Sequence, residues 1–249
     1  MVAEHVEATK RVRRQRLANG KRKKKATRRR VAISKLPDDT STPIELALSS
    51  MLQDRSWADK GLWSVVTANP NCWATAVDNI ANVAADDFVL IQETKKFKES
   101  MRKVAGNTAR RLGWSHEIGT AHRTAGTMGS GGCAVLARKG TGISGLHNRA
   151  IPDAIAHRAT IAWVSAIAKG GFYLLSIYLK DCVGMNSENQ TVCEHVAALV
   201  RSLDGPCVLG GDWNMEPASL AKSGFLGMVN GTIFAPELET CNGFFLITS

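Results

Sequence analysis

Residues 207–214 read CVLGGDWN and residues 87–95 read DFVLIQETK. In each stretch a short apolar run ends in acidic and amide side chains, and the same happens where residues 63–68, WSVVTA, run into Asn69. Runs of this length that are rich in β-branched residues and bounded by Gly, Pro, Asn or Asp are typical of buried strands. We therefore predict three strands that each end in polar side chains.

Strand ends on one edge of a layered α/β sheet converge on a single site. The polar residues that we expect to lie together there are Asn69, Glu93, Asp212 and Asn214. Carboxylates are ligands that Mg²⁺ prefers, and amides can hydrogen-bond a phosphate or a water without adding negative charge. A simpler interpretation stays open, because an Asp-Asn pair after two glycines is a common turn signal and Gln92-Glu93-Thr94 is compatible with a helix start.

Strands and helices alternate through the rest of residues 61–249. The helical pattern covers the residues between Asn71 and Asn82, residues 96–112 and residues 189–203. Further strands are predicted at residues 133–137, 159–166 and 172–178, the last two joined by a Lys169-Gly170-Gly171 turn. Strands that alternate with helices and also form hairpins indicate a mixed-sheet α/β sandwich.

The length and composition fit one folded domain with a tail. The chain has 249 residues, of which 44% are hydrophobic and 22% charged, and these are ordinary values for a soluble globular protein. It contains no run of about 20 apolar residues, so we expect no membrane-spanning helix. The N-terminus has no apolar stretch before a small-residue cleavage site, so we expect no secretory signal.

The formal net charge of +10 comes from the N-terminal segment. Residues 10–30 hold thirteen of the 32 Lys and Arg and no acid, which leaves 19 basic against 22 acidic residues elsewhere. Like charges repel, so we predict a disordered basic tail over residues 1–35 and a linker over residues 36–60 with a short helix around 43–54. Such a tail is typical of a nuclear address or of contact with a phosphate backbone, and a merely solubilising role stays open. The residues that we expect to contact nucleic acid are Arg11, Arg13, Arg14, Lys21, Arg22, Lys23, Lys24, Lys25, Arg28, Arg29 and Arg30.

The six cysteines are Cys72, Cys133, Cys182, Cys193, Cys207 and Cys241. They form no C-x-x-C pair and no zinc-type spacing. Cys133 and Cys207 lie within apolar runs, where a free cysteine behaves as a small hydrophobe. Because no secretory signal is present, we expect reduced, buried thiols and a nuclear location, with the cytoplasm as the alternative.

Two of these stretches resemble motifs of the endonuclease/exonuclease/phosphatase superfamily. DFVLIQETK at residues 87–95 is similar to the metal-binding Gln-Glu-Thr strand end of that superfamily. CVLGGDWN at residues 207–214 is similar to its Gly-Asp-Phe-Asn motif, with Trp213 in place of the usual Phe.

Three weaker matches lie in the expected order within residues 62–217. Residues 130–136, SGGCAVL, resemble the Ser-Gly-Gly strand entry, and residues 172–178 resemble the strand that ends in an active-site Tyr or His. Asn69 holds the place of the first Asn of the superfamily. The resemblance implies a DNase I-like fold, which is a four-layer α/β sandwich with mixed sheets. The spacing is similar to that of retroelement-type or abasic-site endonuclease domains.

The resemblance also implies a role for each matching residue. Glu93 would bind a Mg²⁺ or Mn²⁺ ion together with Asp212, and Asp212 would also orient or deprotonate the attacking water. Asn214 would hold the substrate or Asp212. Asn69 would contact the phosphate or the water shell of the metal, and Tyr178 would donate a hydrogen bond to a phosphate oxygen. The metal would neutralise charge on the phosphate and lower the pKa of bound water.

The superfamily also carries a late Ser-Asp-His motif, which these residues do not contain. Only 35 residues follow Asn214, and none of them is His. We therefore expect the sandwich to lack its last strands, which would leave an apolar face or a strand edge uncovered. His122, beside Arg123, and His157, beside Arg158, are candidates to approach the site through loops, although a loop His next to Arg is more often only solvated.

The first hypothesis is a Mg²⁺- or Mn²⁺-dependent endonuclease or related phosphodiesterase. Its partner would be nucleic acid, DNA rather than RNA, because the tail can release counterions from a polyanion, and we expect neither a membrane nor a stable protein partner. The second hypothesis is a catalytically impaired, nucleic-acid-binding remnant, because one missing partner costs most of the rate when residues act as a unit. The third is a small-molecule phosphatase whose tail is only an address. Lys95 is a candidate phosphate contact, although a lone surface Lys is more often only solvated.

Overall fold

Two mixed β-sheets form the centre of the fold. The computed structural model describes residues 29–33, 61–80, 86–124, 128–146, 151–235 and 244–249. In chain order the strands are β1 (Arg29–Ile33), β2 (Trp63–Ala68), β3 (Phe88–Ile91), β4 (Trp114–Ile118), β5 (His122–Arg123), β6 (Gly129–Ser130), β7 (Ala134–Arg138), β8 (Ile143–Ser144), β9 (Ala159–Val164), β10 (Phe172–Tyr178), β11 (Cys207–Asp212), β12 (Thr232–Phe234) and β13 (Phe244–Thr248). The helices are α1 (Trp73–Ile80), α2 (Glu99–Arg111), α3 (Ser187–Arg201), α4 (Pro217–Lys222) and α5 (Phe225–Val229), with a 3₁₀ turn at Asp153–Ile155.

Each sheet contains one parallel pair of strands. The first sheet has the order β1-β2-β3-β7-β4, and the second has the order β12-β13-β11-β10-β9-β8. The parallel pairs are β2 with β3 and β10 with β11, and the other pairs are antiparallel. β5 and β6 form a separate two-stranded ribbon. Because parallel strands end at the same edge, each sheet brings two strand ends together.

The alternation of side chains along the strands explains how the sheets pack. Successive residues of a strand point to opposite faces. On β3, Leu90 lies in the core between the sheets, whereas its neighbour Val89 belongs to the core on the outer face. On β10, Leu174 and Leu175 divide between the inner core and the outer core in the same way. Both strands are therefore buried on two faces.

Helices cover the two outer faces. On the first sheet, Ala105 and Ala109 of α2 belong to the same apolar cluster as Val89. On the second sheet, Val192 and Val196 of α3 belong to the cluster that contains outward-facing strand residues. The layers therefore follow the order helix, sheet, sheet, helix. The predicted DNase I-like, four-layer α/β sandwich with mixed sheets is confirmed.

Most predicted elements are present with shifted ends. Helix α2 begins at Glu99 rather than residue 96, and Gly113 follows it with a φ of 87°, as a helix terminator often does. Helix α3 begins two residues earlier than predicted because Asn186 caps it, with its side chain accepting the N–H of Asn189 at 3.0 Å. The interpretation of Gln92-Glu93-Thr94 as a helix start is wrong, since the next helix begins at Glu99.

The first strand lies within the segment that we predicted as a disordered tail. Residues 29–33 pair with β2 in the antiparallel direction, and Arg29 is opposite Thr67. The last part of that segment therefore belongs to the first sheet, because RRVAI carries three apolar residues that can add to the edge of β2. The predicted linker and the helix around residues 43–54 lie outside the described residues.

Candidate functional site

The predicted convergence of strand ends is present. Asn69 directly follows β2 and Glu93 lies just beyond β3, whereas Tyr178 and Asp212 are the last residues of β10 and β11. The Asn69 amide donates a hydrogen bond of 2.8 Å to Asp212, and the Tyr178 hydroxyl donates one of 3.1 Å to Glu93. Each bond crosses from one sheet to the other. The four residues therefore form one polar cluster at one edge of the sandwich.

Two glycines hold the turn that carries Glu93. The Thr94 N–H donates to the Gly132 carbonyl at 2.9 Å, so this turn lies against the entry to β7. A Cβ on Gly132 would lie 2.6 Å from the Thr94 hydroxyl oxygen, and a Cβ on Gly131 would lie 2.5 Å from the His157 carbonyl oxygen. Glu93 itself has a φ of 57°, in the left-handed region that residues other than Gly rarely adopt. Strained backbone of this kind is concentrated at functional sites.

A buried amide fixes the base of the same turn. Gln92 is fully buried, and its Nε2 donates to the Ser176 hydroxyl at 2.9 Å and to the Thr67 hydroxyl at 3.1 Å. Ser176 in turn donates to the Ile91 carbonyl at 3.0 Å. Because Thr67 and Ser176 belong to different sheets, Gln92 joins the sheets directly beneath Glu93.

Asp212 is a buried carboxylate with two donors. Its Oδ2 accepts the Asn69 amide at 2.8 Å, and its Oδ1 accepts the backbone N–H of Asn214 at 3.3 Å. Burial raises the pKa of Asp212 to about 7, while the hydrogen bonds from Asn69 and Asn214 act in the opposite direction and the nearby charges of Glu93 and Asp181 add to the rise. A carboxyl group with this pKa can exchange a proton near neutral pH.

Tyr178 lies between Glu93 and a buried cation. Its hydroxyl donates to Oε1 of Glu93, and the guanidinium carbon of Arg158 lies 5.0 Å from the centroid of its ring. Burial raises the pKa of Tyr178, and the negative charge of Glu93 raises it further. The hydroxyl therefore keeps its proton at neutral pH and acts as a hydrogen-bond donor.

Asn214 has a narrower role in the structure than the two that we predicted. Its backbone N–H donates to Oδ1 of Asp212 at 3.3 Å. Its side-chain Nδ2 donates to the Leu179 carbonyl at 2.6 Å, so the amide fixes the chain that leaves β10. Asn214 thus supports both the end of β11 and the end of β10.

The other predicted contacts lie around the cluster. The N–H of Lys95 donates to the Gly131 carbonyl at 3.0 Å. The charge of Lys95 also reaches Cys72, whose pKa is lowered first by its hydrogen bond with Thr75 and to a smaller extent by Lys95. The backbone of Lys95 therefore lies against the entry to β7.

The two candidate histidines lie together. The ring centroids of His122 and His157 are 5.6 Å apart, and the His157 carbonyl accepts the N–H of Gly132 at 2.8 Å. Burial lowers the pKa of His157, and the positive charges of Arg158 and His122 lower it further. The pair is linked through Gly132 to the turn that carries Glu93, which places it beside the cluster.

Sequence reasoning missed four residues that contribute to the cluster. They are Gln92, which links the sheets, Arg158, which lies over Tyr178, Glu188, which pairs with Arg158, and Asp181, whose charge adds to the rise in the Asp212 pKa. Asp181 could have been predicted from the sequence, because it is an acidic residue three positions after the end of β10. Arg158 and Glu188 could not, because an ion pair between residues thirty positions apart leaves no local pattern.

The basic tail lies almost wholly outside the described residues. Of its predicted nucleic-acid contacts, only Arg29 and Arg30 fall in a described segment, the strand β1. Within the described part of the chain, no helix is long and apolar enough to cross a membrane. The described cysteines, at positions 72, 133, 182, 193 and 207, are all free thiols. Those at positions 133, 193 and 207 are buried as predicted, whereas the prediction of burial is wrong for Cys72, which is half-buried, and for Cys182, which is exposed in the turn after β10.

The donor set at the cluster fits a hard divalent cation. Glu93 and Asp212 supply carboxylate oxygens at one edge, and Mg²⁺ is commonly held by one or two carboxylates, with waters and substrate phosphates filling its other positions. In the described residues, no group of three or more His, Cys, Asp or Glu side chains is arranged to hold a metal. Two carboxylates at one edge suit an ion that takes few protein ligands.

Comparison with known proteins agrees with this geometry. The sequence profile of the Endonuclease/Exonuclease/phosphatase family matches residues 61–236, which contain every residue of the cluster. No curated protein matches the chain.

Two solved structures are similar to the chain in fold. One is the human Nocturnin catalytic domain with bound sulfate, at 14% identity and a TM-score of 0.53, with 74% of this chain and 80% of that chain covered. The other is the AP endonuclease LMAP from Leishmania major, at 14% identity and a TM-score of 0.50, with 75% and 79% covered. At this identity the likeness shows a common fold.

Proposed function

The chain belongs to the endonuclease/exonuclease/phosphatase family, and on that premise we propose that it is a divalent-metal-dependent phosphodiester hydrolase, an endonuclease that acts on DNA. Enzymes of this family hydrolyse phosphoester bonds in nucleic acids or in small molecules. The observation that carries the proposal is the pairing of Tyr178 with Asp212 on neighbouring strands, which brings the Tyr178–Glu93 and Asn69–Asp212 hydrogen bonds together at one edge. This cluster provides the carboxylate of Glu93, the carboxyl group of Asp212 with its raised pKa, and two neutral donors at one edge of the sandwich.

Asp212 is the proposed base. A general base works best when its pKa lies near the working pH, and burial brings Asp212 to about 7. Its Oδ2 is held by Asn69 at 2.8 Å, while the donor on Oδ1 is more distant at 3.3 Å. Oδ1 is therefore the atom better placed to orient a water and accept its proton.

The neutral donors suit an anionic substrate. The Tyr178 hydroxyl retains its proton, so it can donate to a phosphate oxygen when the substrate displaces its bond to Glu93. Asn69 uses one of its two amide hydrogens on Asp212 and has a second for a phosphate oxygen or for water. Lys95, two residues after Glu93, carries a positive charge that would also attract a phosphate. These groups bind the phosphate without adding negative charge.

Glu93 and Asp212 are the residues that would hold Mg²⁺ or Mn²⁺. The chemistry that such an ion supplies when bound is neutralisation of charge on the phosphate, which is worth several kcal/mol in enzymes of this kind. Glu93 is half-buried with a left-handed backbone, and its carboxylate accepts the Tyr178 hydroxyl at the end of β10.

The attachment of the tail supports nucleic acid as the substrate. β1 is antiparallel to β2, and Arg29 is opposite Thr67, two residues before Asn69. The basic segment thus enters the fold at the sheet edge that carries the cluster. An extended chain spans about 3.4 Å per residue, so Lys21 to Lys25 are covalently restricted to within roughly 30 Å of this edge. A polyanion bound by these residues would lie near Glu93 and Asp212. The same basic segment favours a nuclear location, with the cytoplasm as the alternative.

A second candidate is a nucleic-acid-binding domain without turnover. The observation that favours it is the block of thirteen Lys and Arg with no acid in residues 10–30, which can bind a polyanion without any catalytic group. His122 and His157 have ring centroids 5.6 Å apart, and a catalytic role for this pair belongs to the active alternative.

One assay separates these functions. The purified chain is incubated with supercoiled DNA, single-stranded RNA or a sugar phosphate, each in Mg²⁺, in Mn²⁺ and in EDTA. Nicking of DNA that needs the metal supports the proposal. Release of phosphate from the sugar with no cleavage of nucleic acid would identify a small-molecule phosphatase instead. Salt-sensitive DNA binding by a folded chain that cleaves none of the three substrates would identify the binding domain without turnover.

A further inference from the structure

Arg158 is a buried cation that contacts Tyr178 of the candidate site. It is 7% exposed, and its guanidinium carbon lies 5.0 Å from the centroid of the Tyr178 ring. Its own carbonyl accepts the backbone N–H of Tyr178 at 2.8 Å. Arg158 thus contacts both the backbone and the ring of the residue whose hydroxyl donates to Glu93.

The orientation of this guanidinium depends on one carboxylate. Nη2 of Arg158 lies 2.7 Å from Oε1 of Glu188. Among the described residues, the buried Nε of Arg158 has no hydrogen-bond partner, so the pairing with Glu188 is the directional contact that fixes the plane of the group. Removing the partner of a buried charge is costly, because the charge is then left uncompensated.

Glu188 is itself held in place from two sides. It lies in the first turn of α3, where a negative side chain is favoured by the helix dipole. Its other oxygen, Oε2, lies 2.7 Å from Nζ of Lys180, which is about half exposed. A fixed carboxylate therefore connects the start of α3 to Arg158 and, through Arg158, to Tyr178.

We propose that Arg158 and Glu188 are positioning residues, which hold the ring of Tyr178 so that its hydroxyl stays directed at Glu93 and the substrate phosphate. The inference rests on the proposed function, since it assigns these residues to the same hydrolytic site. A cation over the face of a ring is attracted by the ring quadrupole and favours one ring orientation. A displacement of about 1 Å of a catalytic group can cost two orders of magnitude in rate.

The environment of Tyr178 can be monitored by ¹³C NMR whether or not the chain is active. The chain has two tyrosines, Tyr173 and Tyr178, so labelling with tyrosine carrying ¹³C at Cζ yields two signals, which Tyr178→Phe assigns. The Cζ shift responds to the hydrogen bond of the hydroxyl. Glu188→Ala and the milder Glu188→Gln are expected to move or broaden the Tyr178 signal and leave the Tyr173 signal in place. Glu194→Ala, an exposed acid on the same helix, is the matched control and should move neither.

Kinetics provide the second test. Glu188→Ala is expected to lower kcat by about tenfold with little change in KM, because it displaces a group that acts on the bound phosphate. In the Tyr178→Phe background the same substitution should have almost no further effect, since the hydroxyl that it positions is gone. Lys180→Met, which removes only the outer contact of Glu188, should lower kcat much less.

Two results would overturn the inference. One is an unchanged Tyr178 signal in both Glu188 variants. The other is a loss of kcat of equal size with and without the Tyr178 hydroxyl, which would mean that Glu188 has only a general structural role. If the wild-type chain cleaves no substrate, the proposed function fails, and the ¹³C signals alone still decide whether Glu188 positions Tyr178.

Discussion

The side-chain amide of Asn69 donates a 2.8 Å hydrogen bond to the carboxylate of Asp212, 143 residues later in the chain. The strands that these residues follow or end, β2 and β11, belong to different sheets, so the bond joins the sheets at the edge where both strands end. Asp212 is 2% exposed. A carboxylate buried to this degree depends on its donors, and the pair is therefore a sensitive point for both stability and chemistry.

Removal of the Asn69 amide should destabilise the fold. Asn69→Ala leaves Asp212 with only the longer bond from Asn214, and a buried polar group that loses a partner costs about 1–3 kcal/mol. We expect a loss of this size in urea unfolding followed by tryptophan fluorescence. Asn107→Ala, on the exposed face of α2, is the control and should change stability by less than about 0.5 kcal/mol. Equal losses in both variants would contradict the role of Asn69.

The pH dependence of stability should reveal the titration of Asp212. The pKa of this group in the folded chain, about 7, lies above its ordinary value of 3.8, so the folded state binds the proton more tightly than the unfolded state. Its contribution to the free energy of unfolding is therefore fully present below about pH 4 and is lost as the pH rises through 7, with a slope of at most about 1.4 kcal/mol per pH unit.

Asp212→Asn removes that titration and is the variant that tests it. In EDTA, the stability of Asp212→Asn relative to the wild type should increase between pH 4 and pH 8, because only the wild type acquires a buried charge. The measurement is a series of urea unfolding curves at fixed ionic strength. Parallel pH profiles for the two proteins would show that Asp212 titrates in its ordinary range.

The buried Gln92 should matter for stability more than an exposed glutamine. Gln92→Ala leaves the hydroxyl groups of Thr67 and Ser176 without their shared partner and opens a cavity between the sheets. The unsatisfied groups alone should cost about 1–3 kcal/mol. Gln190→Ala on the surface of α3 is the matched control. If both substitutions have the same small effect in urea unfolding, the link between the sheets is unimportant.

Deletion of residues 1–28, which leaves β1 intact, should weaken DNA binding and reduce its dependence on salt. Each phosphate contact that is lost lowers the slope of log affinity against log salt by about 0.9. Turnover of a small chromogenic phosphodiester, which is too short to reach the tail, should stay the same. Fluorescence anisotropy across a salt series measures the first effect. An unchanged slope would mean that the tail does not contact the DNA backbone.

Much of the site could be predicted because its residues lie at the ends of strands. The apolar runs before Asn69, Glu93 and Asp212 are long enough to be recognised as strands, and strand ends converge by geometry. The resemblance then added Tyr178, which no local pattern singles out. The pairing of Asn69 with Asp212 and of Tyr178 with Glu93 was found only in the structure, since it depends on the packing of two sheets.

The parts that the sequence did not predict depend on distant partners. RRVAI at residues 29–33 follows a block of positive charge, which predicts a disordered tail, yet all five residues pair with β2. Strand β13 likewise inserts between β11 and β12, where its pairing depends on a neighbour in the fold and not in the chain. The buried ion pair of Arg158 with Glu188 has the same origin.

The most direct test of the central claim is nicking of supercoiled DNA in Mg²⁺ by the wild type, Glu93→Gln and Glu99→Gln. Glu93 lies in the cluster, whereas Glu99 is an exposed acid that pairs with Lys103 on α2, so the two substitutions make the same chemical change at different places. We predict that Glu93→Gln lowers the rate at least about a hundredfold at unchanged thermal stability and that Glu99→Gln has the wild-type rate. Metal-dependent nicking that Glu93→Gln leaves intact would contradict the assignment of this cluster as the active site.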